Sequence, residues 1–403
     1  MPALPLLVIG LFGFFVAAAA PSPLLVPFQH ELGFSPAMLT IIFATYAIAL
    51  MATLLVAGGL SDHVGRKPVI IGALVVEALS MLIFLYAKDV GWLLAGRAVQ
   101  GIATGIALGA FNAAILENSP AGSRVGALAN GFAPLGGLAA GGLVTGWIIQ
   151  QFHNPVHITF ISLAVFFALA ALAAIPVTRT THGRPGALKS LVPRLSMPPA
   201  ARGTFLAVLP AIIALWSISG LYLSLVSPAM ITVFDLHLGL AGGLAIGLFN
   251  ASGAVAPLLL RKCAPATITV TASCAMAIGS VGVAASVALG SVPLFFVSTV
   301  VAGSGFGLAF SASARQVMEF VGGHERAATF AFIYVVSYIA FSVPAMIAGS
   351  LVHTFGLDTV LLTYTALTTA ISIVGIITTS RERRREFGMH VGVTPLEELR
   401  PNR

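Results

Sequence analysis

Apolar residues in this chain fall in long unbroken blocks, and polar residues are confined to the gaps between them. Read as spans, the blocks cover 4–27, 37–57, 68–87, 91–116, 125–150, 158–177, 204–228, 239–260, 266–289, 293–316, 327–351 and 358–379. A helix crosses a bilayer in about 20 residues, so each block is long enough. The blocks are too long for strands and show no alternation, which excludes a membrane β-barrel. A helix satisfies every backbone group internally, as hydrocarbon requires. The pattern predicts an all-α polytopic membrane protein with twelve transmembrane helices.

Composition agrees: 58% of the 403 residues are hydrophobic and 8% charged, against about 25% charged in soluble domains. The net charge of +7 raises the question of nucleic acid, and the placement of the charges answers it. Arg66, Lys67, Arg124, Arg179, Arg184, Lys189, Arg194, Arg202, Arg261, Lys262, Arg315, Arg326, Arg381, Arg383, Arg384, Arg385, Arg400 and Arg403 all fall in even-numbered connections or the tail. Lys88 alone sits in an opposite-side loop, and Arg97 lies within a span. By the positive-inside rule both termini are expected in the cytoplasm of a bacterial inner (plasma) membrane, with the lipid bilayer and no nucleic acid as partner. The stretch from Leu4 to Ala20 has no Lys or Arg ahead of it, so it reads as a retained first span rather than a signal peptide.

A basic, proline-containing connection over 178–203 divides the chain into six-span halves, 1–177 and 204–380, followed by a tail at 381–403. A shift of 202 residues lays Val99 and Gly101 on Val301 and Gly303, Gly105 on Gly307, and Arg124 on Arg326. Two parallel repeats of six helices around a central cavity are one known secondary-transporter architecture.

The densest polar signal joins spans two and three: Gly58-Gly-Leu60-Ser-Asp62-His-Val-Gly65-Arg66-Lys67. Glycines permit a tight turn, and Asp62, Arg66 and Lys67 can form a polar latch that makes in one state and breaks in another. The segment resembles the loop signature of the major facilitator superfamily, G-x-L-x-D-x-x-G-R-K, with His63 as a mild departure. The resemblance implies a transporter and not an enzyme. It implies alternating access, with a conformational latch at Asp62 and Arg66. Glu117 and Arg124 are the expected latch partners.

Arg97-Ala-Val-Gln100-Gly101 in span four resembles the R-x-x-Q-G signature of the drug:proton antiporter branch, where the arginine is tied to proton coupling. An arginine inside a span is costly unless paired or watered. The alternative is a side chain snorkelling to the outer interface. Glu77, midway along span three, reads as a partner of Arg97, as a protonatable carboxyl, or as a neutral group bonded to a neighbouring helix. Gly131-Phe-Ala-Pro134-Leu-Gly136-Gly137 in span five is a degenerate match to the branch's G-P-x-x-G-G element. Gly101, Gly105, Pro134 and Gly137 are expected to serve helix packing.

The resemblance places the substrate cavity along spans one, four, seven and ten, flanked by two, five, eight and eleven. Tyr46, Asn112, Trp216, Tyr222, Asn250 and Tyr334 are the cavity candidates, with Asn112 and Trp216 foremost. The nine histidines lie in loops, at loop edges or in the tail, Cys263 and Cys274 are isolated, and no phosphate-binding loop is present. No cofactor is expected; the proton gradient would supply the energy, and the chain is expected to act as a monomer. The cavity's poverty in charge favours proton-coupled efflux of drugs or hydrophobic small metabolites. Proton-coupled uptake of a small organic metabolite is the alternative, and a non-transporting sensor or scaffold is disfavoured by the latch.

Overall fold

The structure, a computed structural model, describes residues 3–176, 191–192, 195–260, 263–322 and 325–391. Arg179, Arg184, Lys189 and Arg194 of the expected linker lie outside the described residues, as do Arg261, Lys262 and the end of the expected tail.

The chain begins with α1 (Ala3–Ala19) and α2 (Pro21–Leu32), which together form the first span. Then come α3 (Pro36–Ala57), the short α4 (Leu60–Val64), α5 (Arg66–Leu85), α6 (Val90–Glu117), α7 (Val125–Gln151) and α8 (Pro155–Ala174). The second half holds α9 (Pro199–Ser224), the short α10 (Val226–Thr232), α11 (Gly239–Leu259), α12 (Pro265–Leu289), α13 (Val292–Met318), α14 (Arg326–Phe355) and α15 (Leu357–Val391). Twelve spans are long and apolar enough to cross a membrane, and no strand occurs among the described residues.

Helix starts follow local chemistry. Ser35 accepts a hydrogen bond from Met38 N with Pro36 opening α3, and Asp89 caps α6 through Trp92 N. Several boundaries differ from expectation by a few residues, and α9 starts at Pro199, inside the expected linker. The first span runs on to Leu32 but is interrupted at Ala20, because Pro21 has no N–H to continue the α1 ladder. The last helix extends to Val391, past the expected start of the tail at 381, because Arg and Glu are good helix formers.

The two six-helix units pack by the same rules. In the first, α1 lies on α7, α3 on α6, and α5 on both α6 and α8. In the second, α9 lies on α14, α11 on α13, and α12 on both α13 and α15. These are the same pairings, one repeat apart. The repeated glycines carry the same task. A Cβ on Gly101 or Gly105 would collide with the Tyr46 or Leu50 carbonyl of α3. One on Gly303 or Gly307 would collide with the Phe249 or Gly253 carbonyl of α11. Gly137 seats α7 on the Phe12 carbonyl in the same way. Without a hydrophobic drive between helices in lipid, such close backbone contact supplies dispersion energy instead.

An even number of spans puts both ends of the bundle's chain on one face, called here the terminal face. The halves meet closely at the opposite, far face. There Gly142 and Gly146 of α7 lie against Gly243 of α11, and Gly349 of α14 lies against Thr40 of α3.

Gly105→Val is expected to lower the unfolding midpoint of detergent-solubilised protein, since overpacking costs about 1–3 kcal/mol. Gly72→Ala, in open space on α5, is expected to leave it unchanged or slightly raised. Equal midpoints for Gly105→Val and wild type would refute the backbone seam.

Candidate functional site

Three features face one another along the bundle: a charged cluster on the terminal face, a buried polar cluster in the first half, and a cavity between the halves.

The charged cluster depends on Gly65, whose φ of 100° is a conformation that side-chain-bearing residues rarely adopt. This residue reverses the chain between α4 and α5 and turns Arg66 back on its own loop. Arg66 Nη1 pairs with Asp62 Oδ1 and donates to Ser61 Oγ at 2.6 Å. Its Nε lies 3.2 Å from Glu117 Oε1 at the end of α6. Lys67 Nζ donates to the Ile175 carbonyl just beyond α8. One cluster thus ties span three to the ends of spans four and six. Gly58 contributes by packing: a Cβ on Gly109 of α6 would fall 2.6 Å from the Gly58 carbonyl. The geometry unites Asp62, Arg66 and Glu117, while Ser61 was not anticipated. Arg124 is not part of the cluster. It precedes α7 as its N-cap residue and lines the cavity instead.

The buried cluster starts from the interruption of the first span. Pro21 leaves the Ala17 carbonyl without its usual donor. Gln100 Nε2 fills that role at 2.8 Å, and Arg97 Nη1 donates to the Ala18 carbonyl at 3.1 Å. Arg97 Nη1 also donates to Gln100 Oε1 at 3.0 Å, and Gln100 Nε2 reaches Glu77 Oε1 at 3.4 Å. The Arg97 guanidinium lies 5.6 Å from the centre of the Tyr46 ring. Glu77 and Gln100 are fully buried and Arg97 is 1% exposed, so the snorkelling alternative is overturned. No salt bridge joins Glu77 to Arg97 among the described residues; Gln100 stands between them. Glu77 Oε2 and Arg97 Nε and Nη2 have no hydrogen-bond partner in the protein. Arg97 also sits at the C-terminal end of α1, where the helix dipole is negative and favours a cation. The signal for this arrangement was present in Pro21-Ser-Pro23, a pair of prolines inside an apolar span.

The cavity measures 770 Å³ and opens on the terminal face between α7 and a wall of α9, α11, α13 and α14. Phe132, Trp216, Phe310, Phe330 and Tyr334 supply aromatic surface, and Ser313 and Ser337 supply hydroxyls. Trp216 is held at the centre of an aromatic cluster, with ring centres of Phe310, Tyr338 and Phe341 at 5.7, 5.3 and 5.7 Å. Of the six cavity candidates, Trp216 and Tyr334 line this space. The other four do not. Tyr222 is on the closed far-face half of α9, stacked on Phe249 at 4.2 Å and bonded to Thr299. Asn250 is fully buried a turn deeper than the lining part of α11 and bonds to the Ile246 carbonyl. Asn112 is absent from the lining; its backbone carbonyl accepts from Asn130 Nδ2 of α7. Tyr46 lies beneath Arg97. Pro134 stays inside a continuous α7, next to the lining residue Leu135.

Comparison with known proteins fits this picture. The sequence pattern of the Major Facilitator Superfamily matches residues 7–345, and the chain belongs to that family. Uncharacterized MFS-type transporter YhjO of Bacillus subtilis (strain 168) is 27% identical over 173 residues, 41% of this chain and 42% of the relative. Multidrug resistance protein MdtL of Klebsiella pneumoniae (strain 342) is 37% identical over 76 residues, 19% of each chain. The chain thus spans less than half the length of these relatives. In fold, it is similar to a POT family transporter crystallised with 5-aminolevulinic acid, with a TM-score of 0.76 at 12% identity over 94% of this chain and 96% of that one. Family membership and twelve helices long and apolar enough to cross a bilayer make this a polytopic member of that superfamily.

Gln100→Ala removes the donor to Ala17 and the link to Glu77. A buried acceptor left unbonded costs about 1–3 kcal/mol, so the unfolding midpoint is expected to fall clearly. An unchanged midpoint would show that the interrupted helix does not depend on Gln100.

Proposed function

We propose that the protein exports drugs or hydrophobic small metabolites from the cytoplasm across a bacterial inner membrane, driven by inward proton flow. The observation that carries this reading is the asymmetry of the contact between the halves. Glycine seams close the far face, while the cavity opens on the terminal face. The bias of Arg and Lys toward the terminal side supports placing that face in the cytoplasm. Cargo would then enter from inside. Rocking of the halves would close the terminal face and open the far one, and the Asp62–Arg66–Glu117 cluster would hold the first half's helix ends together during the change. The name of the relative MdtL supports efflux within the stretch it shares.

For coupling, the reading assigns the proton to Glu77. It is fully buried, and Oε2 has no partner in the protein. Gln100 links its carboxyl to the interruption of the first span. A change of charge at Glu77 would alter how firmly Gln100 and Arg97 hold the Ala17 and Ala18 carbonyls, and so the shape of the span between them.

Expression in a pump-deficient bacterial host is expected to raise resistance to lipophilic compounds and lower their accumulation. Asp62→Asn at matched expression is expected to lose that effect. No change across a broad panel would favour the uptake alternative. In proteoliposomes, Glu77→Gln is expected to abolish transport driven by a pH gradient while retaining substrate exchange. Full gradient-driven transport by Glu77→Gln would leave this residue a structural role alone.

A further inference from the structure

The cavity carries a charge pattern that narrows its cargo. Arg124 and Arg315 both line it, and among the described residues no carboxylate does. The carboxylates nearest along the chain on this face, Glu319 and Glu325, follow α13 and precede α14 outside the lining. Asp62 and Glu117 belong to the charged cluster and are not in the lining either. The start of α7 adds to the bias: Arg124 is its N-cap residue, so the first-turn N–H groups and the positive helix end lie at the same mouth.

Deeper in, two hydroxyls wait for an acceptor. Ser313 is 1% exposed, lines the cavity, and its Oγ has no hydrogen-bond partner in the protein. Tyr334 lines the cavity too; its ring stacks on Tyr338, and among the described residues its hydroxyl has no hydrogen-bond partner. A neutral hydroxyl can give or take a hydrogen bond, and as a donor it suits an anionic oxygen best. The remaining surface is Phe132, Trp216, Phe310 and Phe330, which suits a flat aromatic body. Binding sites of about 300–1,000 Å³ take drug-sized molecules, and 770 Å³ falls in that range.

We infer that the cavity selects aromatic compounds carrying one acidic group, in preference to the lipophilic cations of the same size. A cation entering here meets like charge at Arg124 and finds no carboxylate in the described lining to pair with. An aromatic acid meets attraction at the mouth and hydroxyl donors inside. This inference rests on the cavity being the cargo site, as proposed above.

The test uses Trp216 as its own reporter. Trp92 and Trp147 are lipid-side residues, 41% and 50% exposed, and Trp92→Phe with Trp147→Phe leaves Trp216 as the sole tryptophan. Full-length protein in lipid nanodiscs is titrated with three probes sharing one ring system: pyrenebutyrate, pyrenebutanol and pyrenebutyl-trimethylammonium. A Trp216→Phe variant that keeps Trp92 and Trp147 gives the background from partition into lipid. The acid is expected to quench Trp216 at a concentration about tenfold below the ammonium compound, a gap of about 1.4 kcal/mol. The alcohol is expected between them. Arg124→Gln should narrow the gap, and Arg124→Glu should close or reverse it. Ammonium binding as tight as the acid would overturn the charge preference and leave the cavity as the cargo site. Quenching unchanged by either Arg124 variant would overturn its role at the mouth. Absence of quenching by all three probes would remove both the preference and the cavity reading on which it stands.

Discussion

A carbonyl inside a bilayer must find a donor, and the first span of this protein denies one to its own backbone. Pro21 interrupts the ladder, and the Ala17 and Ala18 carbonyls turn to Gln100 and Arg97 on the fourth span. Much of the first half is organised by that need. Arg97 would cost about 2.5–3.5 kcal/mol or more at the centre of a lone helix, yet here it meets a carbonyl, a carboxamide oxygen, an aromatic face and a negative helix end. Glu77 joins through Gln100 rather than through the arginine. A direct ion pair would spend both charges on each other. With a carboxamide between them, each charge keeps unused hydrogen-bonding capacity in the interior.

The seams between helices follow from the same solvent. Lipid gives no hydrophobic reward for pairing one apolar helix with another, so contact distance decides. Gly101 and Gly105 bring α6 onto α3, and their repeat counterparts Gly303 and Gly307 bring α13 onto α11. Between the halves, Gly142, Gly146 and Gly243 do this at the far face alone. Near the terminal face α7 carries Leu128 and Phe132, which are well exposed and too bulky for such a seam. The cavity is the space left where small residues give way to large ones.

How much of this was legible in the sequence depends on the range of the interaction. The spans were, because apolar length is a local quantity; the loop from Gly58 to Lys67 was, because its turn and ion pair are four residues apart. The Glu117 contact was also legible, since both residues sit at ends of neighbouring spans. The interruption at Pro21 was visible and went unread, because averaging over apolar residues hides two prolines. Arg97 lies near enough to the start of span four to suggest snorkelling, and only the position of α1 reveals the carbonyls that hold it. The cavity was the least legible part. Helical periodicity tells which face of α11 Asn250 shares with its neighbours, but not at what depth the halves part. Trp216 and Tyr334 were found because an aromatic residue with a polar edge suits both a wall and a binding surface. Arg124 is close to Glu117 in sequence, but as the N-cap of α7 it lines the cavity instead.

The far-face seam is made of backbone against backbone, while the terminal-face cluster is made of partly exposed charges. Dissolved salt acts on the two unequally. Counter-ions at physiological strength screen over about 8 Å and weaken exposed ion pairs, yet they find no charge to screen in a glycine contact. Salt on the terminal side can therefore loosen the ties among the first half's helix ends while leaving the glycine contacts at the other end of the bundle as they were.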